Sequence, residues 1–272
     1  MGGGGTPARW LLIGNSRWHW ARPAAEGEGL ALVHTPPPEP AAAELSEAGS
    51  HLLAWAAVGP LPAPLAAALP AGRRLSLSAV PLAAAPAWLG IDRALVGWQA
   101  WRRSGSAVLV ADAGTVLSLT RVDRGGAFAG GRLLAGAALQ WRAMAAGTAA
   151  LPALEPGLEP EFLAGAKQEA VTAAEAVAAP EPWPVTTAAA MRSGVLLGLA
   201  AAVALALEET VAEEPECRLL LTGGDAAALR APLAQCLAGR GLAERLAWRP
   251  ALALEALAAL APQAVPPKAP QG

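Results

Sequence analysis

Residues 106–123 read SAVLVADAGTVLSLTRVD, which is an apolar run, a turn of small residues and a second run rich in β-branched side chains. Apolar runs of this length, bounded by Gly and Asp, are typical of β-strands. A similar order occurs near the start of the chain, where WLLIGNSRWHW at residues 10–20 enters a Gly-Asn-Ser turn and leaves as a second strand. The repeated strand–turn–strand opening predicts two related lobes rather than a short-repeat solenoid.

The rest of the chain completes two predicted α/β lobes, residues 9–105 and 106–261. A helical pattern begins at Ile91 and ends at Ser104-Gly105, and helical patterns dominate after residue 137. The first lobe is further expected to contain strands over 29–35, 51–58 and 73–80 and helices over 41–49 and 62–70. The second is expected to contain a helix over 159–178, a buried helix over 193–209, and strand–helix pairs over 217–238 and 246–260. The termini, residues 1–8 and the Pro-rich 262–272, are expected to be disordered.

Composition limits the function classes. The chain has 272 residues, of which 54% are apolar, and this is enough for a sizeable core. Its net charge is −2 and it has no basic stripe, which argues against a nucleic-acid partner. Cys217 and Cys236 lack the spacing of a metal site and are expected to be free thiols in a reducing compartment. The three histidines form no ligand pattern.

The chain shows no targeting or membrane segment by its pattern. The start, MGGGGTPAR, lacks the apolar core of a signal peptide. The longest apolar run, residues 193–209, is shorter than the roughly 20 residues that a bilayer requires and is rich in Gly and Ala. We therefore expect a cytoplasmic protein with no membrane association.

Three turns of small residues follow apolar runs and are candidate phosphate contacts: Gly14–Ser16, Asp112–Thr115 and Thr222–Asp225. Glycine lets backbone N–H groups approach an anion, and Ser and Thr hydroxyls add hydrogen bonds. Each turn alone is better explained as a plain structural turn, and the three turns together are stronger evidence for a phosphate site than any one of them. The chain has no GxxxxGK[ST] loop and no GxGxxG opening a helix after a strand. A nucleotide site would therefore be built from the hairpins of two lobes.

A second candidate is the sequence Gly90-Ile91-Asp92-Arg93 at the start of the predicted helix. A carboxylate beside a guanidinium and at a helix N-terminus stays ionised and oriented. The functional interpretation is a general base next to a hydroxyl, with Arg93 holding an anionic partner. The alternative is a pair that only caps the helix.

These blocks together resemble the type III pantothenate kinases, members of the superfamily of acetate and sugar kinases, Hsp70-type ATPases and actin. The resemblance extends from about residue 10 to residue 260 and rests on IGNSR, LGIDR, DAGT, GGRLLAG with TAALP, and TTAAAMRSGVLLG with LTGG after it. It implies two RNase-H-like lobes with mixed sheets flanked by helices and a nucleotide cleft between them. It also implies transfer of the ATP γ-phosphate to the 4′-hydroxyl of pantothenate, the first step of coenzyme A biosynthesis.

The resemblance implies a role for each matching position. Asp92 matches the proton acceptor, and Asp112 matches the acid that binds a monovalent cation, potassium or ammonium; magnesium would arrive with ATP. The positions implied to contact pantothenate are Gly90, Ile91, Asp92, Arg93 and Thr187. The positions implied to contact ATP are Leu12, Ile13, Gly14, Asn15, Ser16, Arg17, Trp18, His19 and Thr115. Family members are homodimers, and the helices from residue 137 to residue 210 would supply the interface.

The chain departs from the family pattern in the first turn. Leu12 stands where the family usually has Asp, and His19 stands where it has a basic residue. The chain has no Tyr, so the family's Tyr near the substrate is missing or replaced by Trp88. An active pantothenate kinase is the first hypothesis. The alternatives are a degenerate, non-catalytic relative that binds a nucleotide or a partner, and a related kinase for another small hydroxylated acid.

Overall fold

Two mixed β-sheets organise the chain, one in each of two compact units. The computed structural model describes residues 9–24, 29–37, 42–154 and 179–261. The first lobe comprises the described residues up to 81 together with 87–99 and those from 251 onward, and the second lobe comprises 82–86 and 100–250. The predicted helix over 159–178 and both termini lie outside the described residues.

The first lobe contains a four-stranded sheet in the order β3-β2-β1-β4, with β1 antiparallel to β2 and parallel to β4. Its core is formed by large apolar side chains, among them Leu11, Trp18, Leu52 and Trp55. The elements are β1 (Trp10–Ile13), β2 (Trp18–Pro23), β3 (Leu30–Thr35), α1 (Ala42–Ser50), β4 (Ala54–Ala57), α2 (Ala63–Ala67) and the first part of α3 (Ile91–Ser104).

The second lobe contains a five-stranded sheet in the order β7-β6-β5-β8-β9, with β5 antiparallel to β6 and parallel to β8. The first four strands therefore repeat the order and directions of the first lobe. The repeat confirms the predicted fold class, α/β with two RNase-H-like lobes of mixed sheets flanked by helices. The elements are β5 (Val108–Ala113), β6 (Val116–Val122), β7 (Phe128–Ala135), α4 (Ala137–Gly147), α5 (Thr187–Glu213), β8 (Arg218–Thr222), α6 (Ala226–Ala238), β9 (Leu246–Trp248) and α7 (Leu252–Leu260), of which α7 packs with the first lobe.

The location of α7 corrects the predicted lobe limits. The sequence placed residues 251–261 in the second lobe, but α7 packs on β1, and the Trp10 indole donates a hydrogen bond to the Ala261 carbonyl at 2.9 Å. A contact between residues 251 positions apart leaves no mark on local periodicity. The second lobe begins near residue 100, within α3, rather than at residue 106.

The predicted strand over 73–80 is wrong. The segment forms two short 3₁₀ turns, Ala71–Arg73 and Leu77–Ala79, with one isolated bridge between Trp55 and Arg74. The backbone N–H of Ala79 donates to the carbonyl of Ser76 at 3.0 Å. The alternation of Leu and Ser resembles a strand, but Ser readily favours local turn bonding.

The apolar run over 193–209 belongs to a helix of 27 residues, α5. By length and composition this helix, which is ten residues longer than the run identified from the sequence, is long enough and apolar enough to cross a membrane. The buried side chains Val195, Leu199, Val203 and Leu207 follow helical spacing and pack in the core of the second lobe. The predicted buried helix is confirmed.

Candidate active site

The first turn is a tight hairpin between β1 and β2. The Gly14 N–H donates to the Arg17 carbonyl at 2.9 Å, which leaves Asn15 and Ser16 at the tip. Asn15, Ser16 and Arg17 are exposed, as a loop that contacts a ligand requires, whereas Ile13 and Trp18 are buried in the core. A side chain on Gly14 would lie 2.9 Å from the Arg17 carbonyl oxygen, so the tight turn requires glycine there.

Leu12 and His19 face each other across β1 and β2. Leu12 is buried, and it brings no polar group to the first turn. The His19 ring is half-buried, and its Nδ1 lies 2.8 Å from Nδ1 of His34 on β3. Burial, with a smaller contribution from the charges of His34 and Arg17, lowers the pKa of His19 to about 4. The His19 ring is therefore neutral at pH 7 and is a hydrogen-bonding group rather than a cation.

The Gly90–Arg93 segment forms the start of α3. Asp92 lies in the first turn of the helix, where the backbone dipole favours a negative charge. Burial raises the pKa of Asp92, while the Arg93 backbone N–H and the Arg93 guanidinium act in the opposite direction. A Cβ on Gly90 would lie 2.5 Å from Oδ1 of Asp92, so glycine leaves the space that this carboxylate occupies.

Arg93 and Trp88 form the other half of this cluster. The Arg93 side chain is buried, and its guanidinium carbon lies 6.0 Å from the centre of the Trp88 ring. The Trp88 ring is 70% exposed, which is unusual for so large an apolar group. A cation and an exposed aromatic face beside the half-buried Asp92 carboxylate can bind a small organic acid.

The second turn carries Asp112 at the end of β5. Asp112 pairs in register with Ser118 on β6 and Thr222 on β8, so three oxygen-bearing residues occupy neighbouring strands. Thr115 is exposed at the tip of the turn. Carboxylate and hydroxyl oxygens are the ligands that hard cations prefer.

Two glycines crowd this turn. A Cβ on Gly223, which has a φ of +97°, would clash with the Ala113 carbonyl oxygen and lie 2.5 Å from Oδ1 of Asp112. A Cβ on Gly136 would clash with the backbone of Gly114. The backbone at Gly223 therefore approaches the Asp112 carboxylate closely, a contact that only the three-dimensional arrangement reveals.

Asp225 and Thr187 lie at helix N-termini of the second lobe. Asp225 is the N-cap residue of α6, with no side-chain capping bond, and it lines a small surface depression with Gly114 and Gly136. Thr187 is the first residue of α5, and the side chain of the preceding Thr186 accepts a hydrogen bond from the Ala189 N–H at 3.4 Å. Thr187 is exposed and so is open to a ligand.

The predicted site residues thus form four groups: the first turn, the start of α3, the second turn with the glycines behind it, and Thr187 at the start of α5. The nucleotide cleft that the resemblance implies between the two lobes stays a prediction. In the part of the chain that the structure describes, no three His, Cys, Asp or Glu side chains gather as a metal site. Sequence reasoning missed His34, Gly136 and the contact of Gly223 with Asp112.

Comparisons with known proteins identify the family. A family model described as type III pantothenate kinase matches residues 72–209. The type III pantothenate kinase of Thermosynechococcus vestitus is 36% identical over 79% of this chain and 76% of its own length, and that of Synechococcus sp. strain JA-3-3Ab is 38% identical over 92% and 91%. Among solved structures, the chain is similar to the activator of the 2-hydroxyisocaproyl-CoA dehydratase from Clostridium difficile with bound ADPNP (TM-score 0.44, 11% identity, 92% and 91% covered). On the family model and the sequence relatives, the chain belongs to the type III pantothenate kinase family.

Proposed function

We propose that this chain is an ATP-dependent kinase that phosphorylates pantothenate at its 4′-hydroxyl and so catalyses the first step of coenzyme A biosynthesis. The observation that carries the proposal is the family match over residues 72–209, which includes Gly90–Arg93, Asp112–Thr115 and Thr187. Nothing in the comparisons favours the non-catalytic alternative.

Asp92 is the proposed proton acceptor. The 4′-hydroxyl oxygen forms a bond to the γ-phosphorus, the bond from that phosphorus to the ADP oxygen breaks, and the hydroxyl proton passes to the Asp92 carboxylate. Burial supports this role because it raises the pKa of Asp92 and makes its carboxylate a stronger base. Most of the remaining work in phosphoryl transfer is positioning and charge compensation.

Arg93, Trp88 and Thr187 are proposed to hold the acceptor. The buried Arg93 guanidinium would pair with the pantothenate carboxylate or the moving phosphoryl charge. The exposed Trp88 ring would replace the contact of the missing tyrosine. Thr187, exposed at the start of α5, would donate a hydrogen bond to the substrate.

The two turns are proposed to hold ATP, with Leu12–His19 in the first and Thr115 in the second. Asp112 would hold the monovalent cation, which supplies positive charge near the phosphates. The oxygen side chains in register with Asp112 and the glycine cradle behind it fit such an ion. The first turn offers no carboxylate, so magnesium would arrive bound to ATP.

The chain is further proposed to act in the cytoplasm as a homodimer. The apolar inner face of α5 is already buried in the second lobe, so it is not available for a partner. Leu205 on the outer side of α5 is 48% exposed and Leu133 on β7 is 62% exposed, and these side chains are the candidates for the interface.

Asp92→Asn tests the proposed function. The substitution should lower kcat for pantothenate-dependent ADP release by about 100-fold or more, because it removes the base while keeping the shape of the side chain. In the parent enzyme, kcat/KM should rise with pH through a pKa above the usual aspartate range, since burial raises the pKa of Asp92.

The matched control is Asp123→Asn, which changes a carboxylate that accepts the Ala127 N–H at 2.9 Å in a turn and should leave kcat unchanged. Phosphorylation of other hydroxylated acids at a higher rate than pantothenate would favour the related-kinase alternative. A parent enzyme with no pantothenate-dependent turnover, matched by Asp92→Asn, would reject the proposal.

A further inference from the structure

The His19–His34 pair is a contact that no family role explains. The two residues lie opposite each other on β2 and β3, and their ring centres are 4.9 Å apart in an edge-to-face arrangement. The Nδ1 atoms are 2.8 Å apart, a hydrogen-bond distance. A hydrogen bond between two neutral imidazoles requires one Nδ1 to donate and the other to accept, so the pair fixes the tautomer of each ring.

The second nitrogen of His19 points to the first turn. Its Nε2 lies 3.6 Å from the position that a Cβ on Gly14 would occupy, next to the tip residues Asn15 and Ser16. If His34 donates, His19 carries its proton on Nε2; if His19 donates, Nε2 is an unprotonated acceptor. Phosphate oxygens accept hydrogen bonds, so only the first arrangement complements a phosphate in this turn.

The residues around His19 leave it to His34, its partner on β3, to determine which ring nitrogen of His19 carries the proton. On β1 the residue opposite is Leu12, which has no polar group. The helix packed against β1 and β2, α7, carries Glu255 as its titratable residue, and the charges that lower the pKa of His19 come from His34 and Arg17. The family's basic residue would bring a full charge to this point, whereas a neutral imidazole brings only an oriented N–H.

We propose that His34 is a positioning residue for ATP: its Nδ1–H donates to Nδ1 of His19 and holds the His19 Nε2–H towards the phosphates in the first turn. The proposal rests on the proposed function for the presence of ATP in this turn. His34 is exposed on β3, so its own Nε2 is open to solvent in this arrangement.

The test is the affinity for ATP with magnesium, measured by equilibrium binding and as KM. His34→Phe keeps a ring in place but removes the donor, and it should weaken ATP binding by about threefold to tenfold, the loss expected for one hydrogen bond. His34→Asn should recover most of the affinity, because its amide can donate from the position of Nδ1. KM for pantothenate should not change in either variant.

Two controls distinguish a positioning role of His34 from a purely structural one. Val33→Ala alters the neighbouring side chain, which is 42% exposed, and should leave the ATP affinity unchanged. The ¹⁵N shifts of the His19 ring should show the Nε2–H tautomer in the parent and a mixture in His34→Phe. An Nδ1–H tautomer in the parent, or equal ATP affinity in the parent and His34→Phe, would overturn the proposal. Because ATP binding is measured without pantothenate, a failure of the proposed substrate is distinguishable from a failure of the pair.

Discussion

The two lobes place side chains of opposite chemistry at equivalent positions of two separate sheets that share a strand order. Leu12 on β1 pairs with His19 on the antiparallel neighbour and with Ala56 on the parallel neighbour. Asp112 on β5 pairs in the same way with Ser118 and Thr222. One lobe therefore has an apolar side chain, an imidazole and a methyl group where the other has a carboxylate and two hydroxyls. A shared strand order fixes where a side chain lies and leaves its chemistry free to diverge.

The glycines that follow β4 and β8 also differ between the lobes, in the space that surrounds them. Gly59, two residues after β4, has a φ of +98° and would place a Cβ in open space. Gly223, directly after β8, has nearly the same φ of +97°, yet its Cβ would meet Asp112 and the Ala113 backbone. The second lobe is thus packed closely around its carboxylate, whereas the first lobe leaves open space beside its glycine.

Making the second lobe resemble the first should give the largest effect. Asp112→Leu should lower kcat for pantothenate phosphorylation by about 100-fold, roughly 2.7 kcal/mol, because it removes the charged ligand proposed for the cation. The dependence of the rate on potassium or ammonium should disappear in the same variant. The measurement is ADP release over a series of potassium concentrations.

The matched control is Leu12→Val, which keeps the corresponding position of the first lobe apolar and should retain the potassium dependence. If Asp112→Leu kept both the rate and the response to potassium, the second turn would not be the cation site, and the contrast between the lobes would have no functional meaning.

The crowding behind Asp112 should appear as a difference in stability between two alanine variants. Gly59→Ala and Gly223→Ala impose the same strain of a positive φ, so their difference isolates the steric conflict. Gly223→Ala should lose about 2 kcal/mol more of the free energy of unfolding than Gly59→Ala, as overpacked sites do. Denaturant unfolding of both variants measures this difference. Equal losses in the free energy of unfolding would mean that the backbone of Ala113 moves to make room for the new side chain at little cost.

The parts of the fold that local pattern specifies were predictable from the sequence. The hairpins over 10–20 and 106–123, the helix α3 and the buried helix α5 follow from apolar runs, turn residues and helical spacing. The strand predicted over 73–80 was wrong because alternating Leu and Ser satisfied a strand pattern, while the backbone formed local 3₁₀ bonds.

The parts of the site that depend on register or on distant contacts were not predictable. His34 lies 15 residues from His19, and only the β2–β3 pairing brings the rings together. The contact of Gly223 with Asp112 joins strands that are more than 100 residues apart in the chain. The individual residues Asp92, Asp112 and His19 were identified from motifs, but their environments come from tertiary packing.

The smallest effect expected is a dependence of folding stability on pH that is confined to the first lobe, which contains all three histidines of the chain. In the folded lobe the pKa of His19 is about 4, whereas an unperturbed histidine has 6.5, so the unfolded chain takes up a proton at higher pH. Stability is therefore complete above pH 6.5 and decreases as the pH falls towards 4. The loss between pH 7 and pH 5 should be about 1 kcal/mol, less than the full shift implies because the ring is only partly shielded from water. Hydrogen exchange of the β2 amides measures this loss of stability. His19→Asn should flatten the dependence of stability on pH at these amides, while the β5 amides show no change. Equal dependence on pH in parent and variant would mean that the pKa of His19 is not lowered in the folded state.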